Sequence, residues 1–196
     1  MNEDIQNRIE KLLRETGREG INNVIEYLRN GSFYSVPASV AFHNNLKGGL
    51  AKHSMDVCLK AMELYNELKS NGIELPFDKN SVILCGLLHD VCKMDEYTIN
   101  RLGKARHTKI YYDNINNNKT LRHGTKSIDI LLECGLQLTE EEIKAIHWHM
   151  GEWAKDAQEE YGHSYFVASV LSLLVNLIHT ADSMAARESK NKIIVM

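Results

Sequence analysis

The chain has 196 residues, 43% of them hydrophobic and 25% charged, with a net charge of −3. That length holds one domain, or at most two small ones, and is enough to bury a core. Acids and bases are interspersed, which excludes a broad cationic field for gripping nucleic acid or an anionic membrane. Cys58, Cys85, Cys92 and Cys134 sit in apolar helical settings without CxxC spacing. They read as reduced core residues rather than a disulfide framework. The start is polar and charged, unlike a signal peptide. The longest apolar run, FVASVLSLLVNLI from Phe166, is too short to span a bilayer and contains Asn176. A cytoplasmic protein is expected, so the N-x-S/T matches at Asn30 and Asn118 carry no weight as glycan sites.

Apolar residues recur at helical spacing almost throughout, and strand-like alternation is nearly absent. Ile5, Ile9, Leu12 and Leu13 mark a first helix, stopped near Thr16-Gly17. Ile21, Val24, Ile25 and Leu28 mark a second, ended by Asn30-Gly31. FYSVPASVAFHNNLKGG is a connector, and a long helix follows from about Leu50 to Lys69, closed by Asn71-Gly72. SVILCGLLHDVCKM is apolar all round and predicts the central helix. The polar stretch from Tyr97 to Arg122 predicts a loop or a short hairpin around KIYYD. A helix resumes after His123 and ends at Gly135. TEEE, Thr139 to Glu142, is a capping box that opens a helix running to Met150, with Gly151 as its stop. The last long helix is predicted from Ser164 to about Arg187. With no repeats or linkers, the expectation is a single all-α domain over 1–196, its N-terminal helices (1–30) packing on a core spanning 40–190.

Three of these helices run an apolar stripe into a polar side chain. On the third, Val57, Ala61, Leu64 and Leu68 extend back one turn to His53. On the central helix, His89 follows Cys85 and Gly86, and Lys93 lies one further turn along. On the last, Leu171, Leu174, Val175 and Ile178 lead to Asp182. A buried carboxylate costs several kcal/mol unless it is paired or bound to metal. Taken singly, each has an ordinary explanation: a hydrogen-bonded core histidine, or Asp182 paired with Arg187. Together they are all of metal-ligand type, the imidazole-and-carboxylate set that holds Fe, Mn, Co, Ni or Zn.

AKHSMDV, LLHDVCK and LIHTADSMAAR resemble the H…HD…D signature of the HD-domain metal-dependent phosphohydrolases. PASVAFHNNLKGGLAKHS, RHGTKS and IHWHMG are similar to segments of a bacterial subgroup that carries extra histidines before the final Asp. The similarity covers roughly residues 20 to 187. It implies a helical bundle of HD-domain type in which His53, His89, Asp90 and Asp182 hold one metal ion. Asp90 would bridge to a second ion, with His123 and a histidine of IHWHMG completing that second set. His147 and His149 point about 200° apart on a helix, so both cannot face inward. Periodicity favours His147, which continues the Ile143/Ile146 stripe, whereas the resemblance places the ligand at His149. The resemblance is followed here, leaving His147 to support a ligand or face substrate.

Lys93 has a phosphate-facing role in the family, the alternative being a surface lysine that reaches solvent from the helix end. His43 and His179 are candidates for supporting ligands from behind. Arg122 is a candidate for substrate phosphate, with a solvated side chain as its alternative. His107 and His163 are read as loop residues without a role.

The implied function is a metal-dependent phosphohydrolase, in which metal-activated water cleaves a phosphoester or phosphoanhydride. Asp90 and Lys93 would carry the catalysis on a nucleotide-like or other small phosphorylated substrate. The cofactor would be a divalent transition metal, as two ions of Fe, Mn, Co, Ni or Zn. No G-x-S-x-G elbow and no Walker loop is present. Three other readings stay open: 3′–5′ exonuclease-like HD activity on oligonucleotides, a di-iron oxygenase, and a non-catalytic metal- or nucleotide-binding module. The slight acidity disfavours polynucleotide, and phosphate-facing cations weigh against oxygen activation.

Overall fold

A computed structural model of the chain describes residues 2–40, 44–109, 123–151 and 164–194. Those residues are mostly helical, with one two-stranded antiparallel sheet, which is the all-α class expected. Helix α1 spans Asn2–Glu15 and α2 spans Ile21–Asn30. They turn Ile9, Leu13, Val24, Ile25 and Leu28 into the core, and α1 also packs on the two helices that follow. The third, α3, covers Gly49–Ser70, and α4 covers Lys79–Leu88. Asp78 starts α4 by accepting from the backbone amides of Asn80 at 2.9 Å and Ser81 at 3.0 Å.

Helix α5 is His123–Glu133, α6 is Glu140–His147, α7 is Ser164–Leu171 and α8 is Leu173–Ile194. The most extensive pairings are α3 with α4 and α3 with α8. Both follow from apolar stripes that meet over Val57, Ala61, Leu84, Leu88, Leu174 and Ile178, all fully buried. The predicted capping box is present. Thr139 Oγ1 accepts from the Glu142 amide at 3.2 Å, and Glu142 Oε2 accepts from the Thr139 amide at 2.8 Å.

Four elements differ from the sequence reading. The central helix does not run through to Met94: α4 ends at Leu88, and a 3-10 turn, Val91–Met94, follows His89 and Asp90. Two polar side chains there turn toward other helices, and the chain bends to deliver them. The last helix is interrupted at Ser172, whose hydroxyl accepts from the Val175 amide at 3.3 Å and starts α8 anew. The hairpin lies earlier than KIYYD, pairing β1 (Tyr97–Ile99) with β2 (Ala105–His107) in the register Tyr97↔His107. From residue 110 onward, KIYYD falls outside the described residues. Finally, α6 stops at His147 rather than Met150.

Among the described residues, no helix is long and apolar enough to cross a membrane.

Candidate metal centre

The site lies where α3, the end of α4, the start of α5, the end of α6 and α8 converge. Close backbone approach makes this possible at two glycines. A Cβ on Gly86 would lie 2.8 Å from the Cys58 Cα, so α4 crosses α3 at near contact. A Cβ on Gly124 would lie 2.4 Å from the His147 carbonyl oxygen, so the start of α5 abuts the end of α6. The first crossing sets the His53 and His89 rings 5.4 Å apart. The second brings His123 and His149 to 5.8 Å, and His89 and His149 stand at 4.8 Å.

Asp90 sits in the middle of these four rings and is almost wholly buried. Its Oδ2 is 3.3 Å from His89 Nε2 and 3.5 Å from His53 Nε2. Its Oδ1 is 2.8 Å from His123 Nε2 and 3.4 Å from His149 Nε2. Asp182, from α8, places Oδ1 at 3.1 Å from His53 Nε2. Burial alone would raise the carboxyl pKa of Asp90. The Lys93 ammonium and then the surrounding histidines more than offset that, holding the carboxyl well below its ordinary value. Asp182 is likewise lowered against the push of burial, chiefly by His53.

The histidines are oriented from behind. His89 Nδ1 lies 3.1 Å from the Gly86 carbonyl, and His149 Nδ1 lies 2.7 Å from the Ile146 carbonyl. A carbonyl only accepts, so both Nδ1 atoms carry the proton and both Nε2 lone pairs point at the centre. Those two Nε2 atoms are buried without a hydrogen bond, which is costly for a polar atom and is relieved by coordination. Burial also pushes the His149 pKa down, keeping its ring neutral and able to ligate. The donor set therefore fits a divalent transition ion. Three overlapping triads have their donor atoms within 4.8 Å of one another: His53/His89/Asp90, His89/His149/Asp182 and Asp90/His123/His149.

The six residues assigned as ligands from sequence thus lie together. His147 falls in no such triad. It stands 3.3 Å from the Thr125 hydroxyl, edge-on to Trp148, and only half-buried. Lys93 is not a solvent-reaching lysine: it is buried, with Nζ 2.6 Å from Asp90 Oδ2. Burial pulls its pKa down, but the Asp90 carboxylate outweighs that and keeps the ammonium charged. His179 Nδ1 donates to the His149 carbonyl at 2.7 Å, steadying the segment that carries that ring. His107 is a strand residue, its ring 5.2 Å from that of Tyr97 and tilted against it, rather than a loop residue. His43, Arg122 and His163 lie outside the described residues.

The sequence reading missed Cys92 and Glu96, which form a fourth triad with His123. Glu96 is almost fully buried, with Oε2 3.5 Å from His123 Nδ1. Its signal was a carboxylate one 3-10 turn beyond the HD pair, hidden because an unbroken helix would aim it elsewhere.

A family model described as HD domain matches residues 50–187, more than two thirds of the chain. No curated protein and no solved structure gives a significant match. With that match, and with the HD pair and its partner helices converging as described, the chain belongs to the HD-domain superfamily of metal-dependent phosphohydrolases.

Proposed function

We propose that this protein hydrolyses a phosphoester or phosphoanhydride of a nucleotide-like or other small phosphorylated molecule, using two divalent ions. One observation carries the reading: the oxygens of Asp90 face different histidine pairs, Oδ2 toward His53 and His89, Oδ1 toward His123 and His149. A carboxylate so placed is suited to hold two ions at once. His53, His89 and Asp182 would complete one set, and His123 and His149 the other.

When bound, such a pair supplies Lewis acidity that brings the pKa of a water toward neutrality. The protein's own residues do the rest. Asp90 holds the two ligand sets at a fixed spacing. The Nδ1 hydrogen bonds of His89 and His149 keep both lone pairs inward before any substrate arrives. Lys93 offers a buried, permanently charged ammonium beside Asp90, able to offset negative charge that builds on phosphoryl oxygens. A buried cation also suits an anionic substrate better than dioxygen. A net charge of −3 favours a small substrate over a polynucleotide.

The test is a panel of nucleotides and sugar phosphates offered to metal-stripped protein reloaded with Mn, Fe, Co, Ni, Zn or Mg. Phosphate release with at least one ion, and close to two ions per chain, is expected. Protein that binds no transition ion after reloading overturns the proposal. Oxygen uptake without phosphate release would move the activity to oxygen chemistry.

A further inference from the structure

Beside the proposed hydrolytic centre, Cys92, Glu96 and His123 bring one donor atom each within 4.8 Å of one another. Cys92 is fully buried, Glu96 is 7% exposed, and the His123 side chain, at 26%, opens the cluster to solvent. His123 Nε2 lies 2.8 Å from Asp90 Oδ1, and a carboxylate oxygen only accepts, so Nε2 carries a proton. The ring's other nitrogen, Nδ1, faces the Glu96 carboxylate at 3.5 Å. Ligands each about 2.0–2.2 Å from a tetrahedral ion stand roughly 3.4 Å apart, so the Nδ1–Oε2 gap suits one. Thiolate as the third donor selects Zn²⁺ or Cd²⁺ over Mg²⁺ or Mn²⁺.

We propose that Cys92, Glu96 and His123 form a separate site for a thiophilic divalent ion, which competes with the hydrolytic centre for His123. On binding, the sulfur–metal bond forms as the Cys92 thiol loses its proton to solvent, and the proton on His123 Nδ1 leaves to solvent in the same exchange. His123 then coordinates through Nδ1 and keeps Nε2–H on Asp90. A neutral imidazole has one lone pair, so the ring cannot serve both centres. Occupation of this site is therefore inhibitory. The ion site stands without the hydrolase reading; only its inhibitory effect rests on it.

The test titrates reduced, metal-stripped protein with Co²⁺ and reads the near-ultraviolet thiolate-to-cobalt charge-transfer band. The nitrogen and oxygen donors of the hydrolytic centre give no such band, so failure here leaves the phosphohydrolase reading intact. The band is expected in the wild type and in Cys134→Ser, and absent in Cys92→Ser. Zn²⁺-loaded wild type, measured by X-ray absorption, should show a sulfur contribution at about 2.3 Å, a readout that needs no variant. No band, a band that survives Cys92→Ser, or a zinc shell of nitrogen and oxygen alone overturns the site. The concentration of Zn²⁺ that half-inhibits Mn²⁺-supported phosphate release should rise about tenfold or more in Cys92→Ser. An unchanged value overturns the inhibitory role.

Discussion

Gly86 and Cys58 touch backbone to backbone: a Cβ at Gly86 would sit 2.8 Å from the Cys58 Cα. That contact sets the spacing of α3 and α4, and with it the 5.4 Å separation of the His53 and His89 rings. Gly86→Ala should therefore do two things. Overpacking typically costs about 1–3 kcal/mol, visible as a lower midpoint in denaturant unfolding of the metal-stripped protein. Parting the helices should also weaken metal binding, because His53 comes from α3 and His89 from the end of α4, and both must reach Asp90 Oδ2. A variant as stable as wild type would mean that the helices do not cross at contact.

The proposed sharing of Asp90 predicts an unequal response of metal content to substitution. Asp90→Ala should lose both ions, since His53, His89 and Asp182 on one side and His123 and His149 on the other are each left without the central carboxylate. His123→Ala should retain close to one ion, held by His53, His89, Asp90 and Asp182. Elemental analysis of the folded variants distinguishes these outcomes. Equal retention in both variants would remove Asp90 from the bridging role.

The choice between His147 and His149 shows where sequence reasoning ran out. The stripes of α3 and α8 led to His53 and Asp182 because both helices are regular at those positions. Angular spacing failed at IHWHMG because α6 ends at His147, so the 100° step per residue no longer applies to His149. The same failure hid Cys92 and Glu96 beyond the bend at His89 and Asp90. Short-range chemistry was legible: TEEE gave its capping box, and Asn71-Gly72 closed α3. Tertiary demand placed the breaks, and a one-dimensional period does not register it. The consequence is testable: His149→Ala should lower metal content, whereas His147→Ala, half-buried and outside every donor triad, should keep it.

Arg18 reaches from the α1–α2 connection to Glu142, with both nitrogen–oxygen distances at 2.7 Å. Glu142 is fully buried and is also the acid of the capping box. Burial would raise its pKa, but the Arg18 hydrogen bonds and the Thr139 amide override that, and the folded value lies below 4.5. A carboxyl lowered by folding adds stability above its unfolded pKa and loses it as pH falls through the folded one. Unfolding free energy should thus decline below about pH 4.5, and Arg18→Ala should flatten that decline. At neutral pH the same variant should cost about 3 kcal/mol, because a buried charge loses its partner. An acid limb unchanged by Arg18→Ala would mean that other carboxyls govern it.

Lys93 offers the sharpest separation of metal binding from catalysis. Its Nζ lies 2.6 Å from Asp90 Oδ2, the oxygen that also faces His53 and His89. An ammonium there repels incoming cations, so it is poorly placed if metal retention is its purpose. It is well placed to meet charge on a phosphoryl group. Lys93→Met should hold its metal as tightly as wild type or more so, since the competing cation is gone. Its kcat should fall by about 10²–10³, the usual effect of removing one preorganised group from a site of developing charge. Lys93→Arg keeps the charge but not the compact point donor, and should recover only part of that loss. Loss of metal in Lys93→Met, with any residual activity proportional to the metal retained, would make Lys93 a structural support for Asp90 rather than a catalytic group.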